Sequence, residues 1–128
     1  MDPARSRTST QRQRRALHDE AVALIAAGCG EPLTLDAVAH AIATSRRQLQ
    51  RAFAEVGHTT FSAHLTAARM DRAALLLLRT PASIGEVSRH VGYQDASQFT
   101  KAFKRRHGRT PSQLRAQAAR RALGGQAA

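Results

Sequence analysis

Apolar residues recur at helical spacing along most of the chain, and short polar breaks carrying glycine or proline separate the runs. Leu17, Ala21, Leu24 and Ile25 share one face of a first helix, which Gly28-Cys29-Gly30-Glu31-Pro32 ends. Leu49, Ala52, Phe53 and Val56 share another, and Phe99, Ala102, Phe103 and His107 a third. A longer run with Phe61, Leu65, Ala68, Ala73, Leu76 and Leu77 lies between them. No stretch alternates apolar and polar residues over a strand's length, and β-formers are thinly spread, so the pattern predicts an all-α body.

Helix starts are marked by a side-chain oxygen followed three residues later by Glu or Gln, a pairing that satisfies two orphaned backbone donors. Four such boxes occur: Ser45 to Gln48, Ser83 to Glu86, Asp95 to Gln98, and Thr110 to Gln113, the last with Pro111 at the first helical position. Thr34 and Thr59 or Thr60 supply further caps. Seven helices follow, over roughly 12–27, 35–42, 46–56, 60–79, 84–90, 96–106 and 111–122. The polar, Arg-rich residues 1–15 have no helical period and are expected to form a mobile basic arm that can also fray into the next helix; residues 123–128 are expected to be a flexible tail.

The chain repeats itself. Leu35, Val38, Ala39 and Ile42 match Ile84, Val87, Ser88 and Val91 at an offset of 49 positions. Leu49, Arg51 and Phe53 match Phe99, Lys101 and Phe103 at an offset of 50, so the second copy has one extra residue in its turn. Each copy is a short helix, a tight turn and a capped second helix, the layout in which the second helix enters a major groove. The expected organisation is a first helix-turn-helix subdomain over 16–58, a linker helix over 59–79 and a second subdomain over 80–122. At about 1.5 Å per residue the linker helix spans roughly 28 Å, against about 34 Å per turn of B-DNA, which lets one chain address adjacent grooves and favours some bending of the DNA. Arg69 and Arg72 on it are expected to snorkel or to pair with Asp71 or Glu86.

The second helix of the first copy leaves Arg46, Arg47, Gln50, Arg51 and Ala54 outside. Arg matches the two acceptors of a guanine edge and Gln an adenine edge, while charge at the helix ends grips phosphate. In the second copy Ala96, Ser97, Thr100, Lys101 and Lys104 face out. Ala96 suits a thymine methyl and Ser97 and Thr100 are permissive hydrogen-bonders. Lys101, Lys104, Arg105, Arg106 and Arg109 suit phosphate, so the first copy should dominate discrimination.

Charge agrees: 20 Lys and Arg against nine Asp and Glu give a formal net charge of +11 in 128 residues, which favours a polyanionic partner. Cys29 is the only cysteine, which excludes an intrachain disulfide and a Cys-based zinc finger and fits a reducing cytosol. A loop filler is the expected role for it. The first residues lack a signal-peptide core, and the longest aliphatic run, Leu75 to Leu78, is far short of the roughly 20 residues that span a bilayer. Those leucines are read as core rather than as a protein-docking surface. No metal, nucleophile or phosphate-loop pattern occurs among the six histidines, the acids and Cys29, so no catalytic site, cofactor or metal is expected. The rival to a site-specific regulator is a sequence-indifferent architectural DNA binder, and the grouping of Arg47, Gln50 and Arg51 on one capped helix argues for base readout.

These residues resemble the DNA-binding domain of the AraC/XylS family of bacterial transcription regulators over about Pro32 to Arg115. The matching segments are Leu33 to Ala39, Ser45 to Phe53, Arg69 to Ala73, Ile84 to Tyr93, Ser97 to Lys104 and Gly108 to Arg115. The resemblance implies two helix-turn-helix subdomains joined by a long helix. It places base-reading positions at Arg47, Gln50, Arg51, Ala96, Ser97, Gln98 and Lys101, and it departs from the face reading at Gln98, which there closes a capping box. Arg46, Thr100, Lys104, Arg105 and Arg109 are the expected phosphate contacts. Ala43 stands where the family's first turn often has glycine, and since alanine at positive φ is strained, a differently wound turn is expected. The resemblance further implies a short, single-domain cytoplasmic protein that binds promoter DNA on the nucleoid as a monomer, is controlled by its abundance, and activates transcription by contacting RNA polymerase.

Overall fold

The computed structural model describes residues 3–127, with side chains over 9–124. It contains α1 (Pro3–Gly28), α2 (Leu35–Ala41), α3 (Arg46–Val56), α4 (Phe61–Arg79), α5 (Ile84–His90), α6 (Ala96–His107) and α7 (Pro111–Ala127), and no strand among the described residues. Helices α2 to α6 fall within a residue or so of the ranges read from the sequence. Both ends differ. The segment expected to be an arm is helical from Pro3, and α7 runs through the segment expected to be a tail; Met1, Asp2 and Ala128 lie outside the described residues. Periodicity is blind to these stretches because they have no apolar stripe, but Ala, Arg and Gln are good helix formers and Pro3 is suited to a first turn.

Two compact units divide the chain, one ending at Leu65 and the other beginning at Thr66, inside α4. In the first unit α1 packs along α3, and the core holds Ala21, Ile25, Val38, Leu49, Phe53 and Phe61, all at most 9% exposed. Cys29 is buried with them. The ring of Phe53 meets His18 edge-on at 5.4 Å and Phe61 at 5.8 Å. In the second unit Met70, Ala73, Leu77, Val87, Val91, Phe99 and Phe103 form the core. Of the four successive leucines, Leu77 is buried and Leu76 half-buried, whereas Leu75 and Leu78 are 40% and 51% exposed. A single helical face cannot hide four consecutive residues, which sit about 100° apart around the axis.

The two turns that precede α3 and α6 are wound alike. After α2, Ala43 N donates to His40 O at 3.1 Å and Thr44 N to Ala39 O at 2.9 Å; after α5, Gly92 N donates to Arg89 O at 3.1 Å and Tyr93 N to Ser88 O at 3.0 Å. Each pair is a Schellman closure, and each puts one residue in the left-handed region, Ala43 at φ +55° and Gly92 at φ +94°. The expectation of a differently wound first turn is therefore corrected: Ala43 takes the glycine conformation. The extra residue of the second copy falls after this closure, between Tyr93 and the cap at Asp95.

Candidate nucleic-acid interface

The start of α3 is fixed by Ser45, whose Oγ accepts from Gln48 N at 3.1 Å. Leu49, Ala52 and Phe53 are buried beneath the helix, so Arg46, Arg47, Gln50, Arg51 and Ala54 are all exposed. Arg46 carries an ion pair, its guanidinium lying 3.5 Å from Asp36. Arg47, Gln50 and Arg51 form one exposed polar stripe along α3, continued by Ala54.

The start of α6 is capped differently from the sequence reading. Asp95 Oδ1 accepts from Ser97 N at 2.8 Å, so the backbone of Ser97, not the side chain of Gln98, completes the cap. A carboxylate is one atom longer than a hydroxyl and reaches the nearer amide. Gln98 is exposed and has no part in this cap, which corrects the box assigned to it. Ala96, Ser97, Lys101, Lys104 and Arg105 are also exposed, Thr100 is half-buried, and Phe99 and Phe103 are fully buried on the opposite face. Arg109, in the turn after α6, is half-buried and bonded to Gln117.

Three contacts that hold α3 and α6 were not foreseen. Arg14 on α1 pairs with Glu55 on α3. Asp71 on α4 takes two bonds from Arg106 of α6, at 3.1 and 2.9 Å, with His107 3.5 Å away, a pairing across helices where the sequence suggested Arg69 or Arg72. The bonds and charge of Asp71 raise the Arg106 guanidinium pKa further above its ordinary value. His107 Nε2 donates to Met70 O at 3.1 Å. Arg69 instead lies against Gly92, where an added Cβ would sit 3.2 Å from its Cζ. Helical spacing reports only on partners within one helix; pairs 35 or 41 residues apart have no such signal.

The helix-turn-helix domain profile matches residues 38–117, from within α2 to within α7. Among solved structures the chain is similar to a transcriptional regulator from Chromobacterium violaceum, described as an AraC-type DNA-binding domain-containing protein, with TM-score 0.78 and 34% identity over 81% of this chain and 93% of that one. The chain belongs to the AraC/XylS family of helix-turn-helix domains. The regulator ArgR of Pseudomonas aeruginosa is 34% identical to this AraC/XylS domain over 98 residues, 77% of this chain and 30% of that protein. The activator RhaR of Salmonella schwarzengrund is 32% identical over 102 residues, 80% of this chain and 36% of that protein. The AraC/XylS domain thus spans about a third of the length of these relatives. Both are named for transcription control, in agreement with the reading that this family member is not an enzyme.

Proposed function

We propose that the protein is a sequence-specific regulator of bacterial transcription that binds double-stranded promoter DNA by placing α3 and α6 in adjacent major-groove segments. The observation that carries this is the exposed stripe Arg47, Gln50 and Arg51 on a helix whose other face is fully buried and whose start is capped by Ser45. Arg47, Gln50 and Arg51 read bases, with Ala96, Ser97, Gln98 and Lys101 as the second reading set; Gln98, absent from the cap, is free for that role. Arg46, Thr100, Lys104, Arg105 and Arg109 bind phosphate. Activation is supported by the naming of RhaR as an activator, and the protein is proposed to act as a monomer on DNA that contacts RNA polymerase. Placement in the cytoplasm on the nucleoid follows from this role, and no helix among the described residues is long and apolar enough to cross a membrane.

The test is selection of binding sites from random duplex DNA, followed by titration of the winner against a scrambled duplex across salt, with Arg47→Ala and Lys101→Ala in parallel. A two-block consensus about one helical turn apart, with discrimination lost in Arg47→Ala, is the expected result. Equal binding of all duplexes with a steep salt slope would replace this reading with that of an architectural DNA binder.

A further inference from the structure

The N-terminal half of α1 carries a concentration of unbalanced positive charge. Residues 3–15 hold five arginines, Arg5, Arg7, Arg12, Arg14 and Arg15, and no acid, and the first turn has no acidic residue. Like charges so closely spaced, with no acid in the stretch to offset them, repel one another. Arg14 alone of the three with described side chains is neutralised, by Glu55. Arg12 and Arg15 are exposed.

Their position gives the charge a use. A concave surface lies between Arg12, Arg14 and Arg15 on α1 and Glu55, Val56 and His58 at the end of α3. His58, left-handed and exposed, follows directly on the end of the helix that carries Arg47, Arg51 and Ala54. Helix α3 has 11 residues and is about 16 Å long, whereas the major groove is about 12 Å wide. A helix that reads bases with its first two turns therefore brings its last turn to the groove wall, where the phosphates are. Glu55 would repel them, and Arg14 cancels that carboxylate.

We propose that this α1–α3 surface is a phosphate clamp: Arg12 and Arg15, with His58 beside them, bind the phosphodiester backbone that borders the block read by α3, and Arg14 masks Glu55. The clamp rests on the proposal that α3 enters the major groove. It adds a third point of attachment that carries affinity but no sequence information.

The test uses the selected duplex and its scrambled counterpart with Arg12→Ala/Arg15→Ala, Arg14→Ala and Arg47→Ala proteins. The double variant is expected to lose about three- to tenfold in affinity for both duplexes alike and to lower the salt slope by about two. Single methylphosphonate substitutions along the backbone then identify the partner. One or two neutralised phosphates beside the Arg47-dependent block should weaken the full protein and leave the double variant unaffected. Arg14→Ala should bind less tightly than the loss of one cation explains, and Arg14→Ala/Glu55→Ala should recover that excess. Unchanged affinity and slope in the double variant, or additivity with every neutralised phosphate, overturns the clamp even when Arg47→Ala abolishes discrimination. Retained discrimination in Arg47→Ala overturns the groove reading instead. Circular dichroism of the double variant separates both outcomes from misfolding, since two exposed arginines replaced by alanine should leave helicity unchanged or higher.

Discussion

Ala43 and Gly92, 49 residues apart, occupy the same place in the two turns, and both backbones are left-handed, at φ +55° and φ +94°. The same holds 50 residues apart after the reading helices, where His58 is at φ +53° and Gly108 at φ +74°. The second unit thus has glycine at both left-handed positions and the first has it at neither.

Left-handed backbone costs an L-residue about 1–2 kcal/mol, partly offset by the greater unfolded-state freedom of glycine. Ala43→Gly is therefore expected to be neutral or stabilising by up to about 1 kcal/mol. Gly92→Ala should cost more than about 1 kcal/mol, because its Cβ would also press on Arg69 at 3.2 Å. Gly108→Ala meets no neighbour within 4 Å and should show the backbone cost alone. Urea denaturation of the three variants checks the order; equal losses at positions 43 and 92 would contradict it.

Capping and reading separate at the start of α6. Asp95→Ala removes the acceptor of Ser97 N and should destabilise by about 1 kcal/mol. Gln98→Ala should leave the melting temperature unchanged and alter preference at one base position of the second block. Thr110→Ala breaks a box closed in both directions, Gln113 N to Thr110 Oγ1 at 3.1 Å and Thr110 N to Gln113 Oε1 at 2.9 Å. Its cost should lie toward the upper end of the capping range, about 1–2 kcal/mol. Thermal melts alongside base-substituted duplex titrations distinguish these roles.

The Asp71–Arg106 pair ties α6 to α4. Arg106 has its pKa raised on folding, so its contribution is fully present below the unfolded guanidinium range and is lost only as pH rises through the folded value, far above neutrality. Both side chains are about half exposed, which limits the pair to about 1 kcal/mol or less. An Asp71→Asn/Arg106→Ala double-mutant cycle should give the same coupling at about pH 6 and about pH 9 and a smaller one in high salt. A coupling that vanished between those two pH values would assign the titration to another group.

Phe53 is fully buried and touches the rings of His18, Phe61 and His64. Phe53→Ala should cost about 3–5 kcal/mol, a large part of the roughly 5–15 kcal/mol that keeps a domain folded. Leu78→Ala, at an exposed site, should stay within about 0.5 kcal/mol. Hydrogen exchange of the α3 amides reports the first loss directly.

The sequence was most legible where a local rule sufficed. Caps and period placed α2 to α6, and the inward set Leu49, Ala52, Phe53, Phe99 and Phe103 with its outward counterpart on α3 followed from spacing alone. It was illegible where the cause lay elsewhere in the chain. The partner of Asp71 is on another helix, and the partner of Glu55 is in a segment whose helicity comes from propensity without an apolar stripe. The resemblance to AraC/XylS regulators supplied Gln98, which the capping rule had claimed; the bond from Ser97 N to Asp95 Oδ1 removes Gln98 from the cap. Ala43 shows the reverse limit, since a residue preference predicted a change of turn where two Schellman bonds enforced the same one.

Helix α6 ends in Lys104, Arg105, Arg106 and His107, where positive charge suits the helix pole. Those side chains stabilise the helix with or without a ligand, and a lineage would keep several of them for folding alone. The arginines of α1 lie far from that favourable pole, and Arg12 and Arg15, exposed and outside the Arg14–Glu55 pair, gain no such stabilisation. Five arginines in thirteen residues at that end are in this sense charge available for binding rather than for stability.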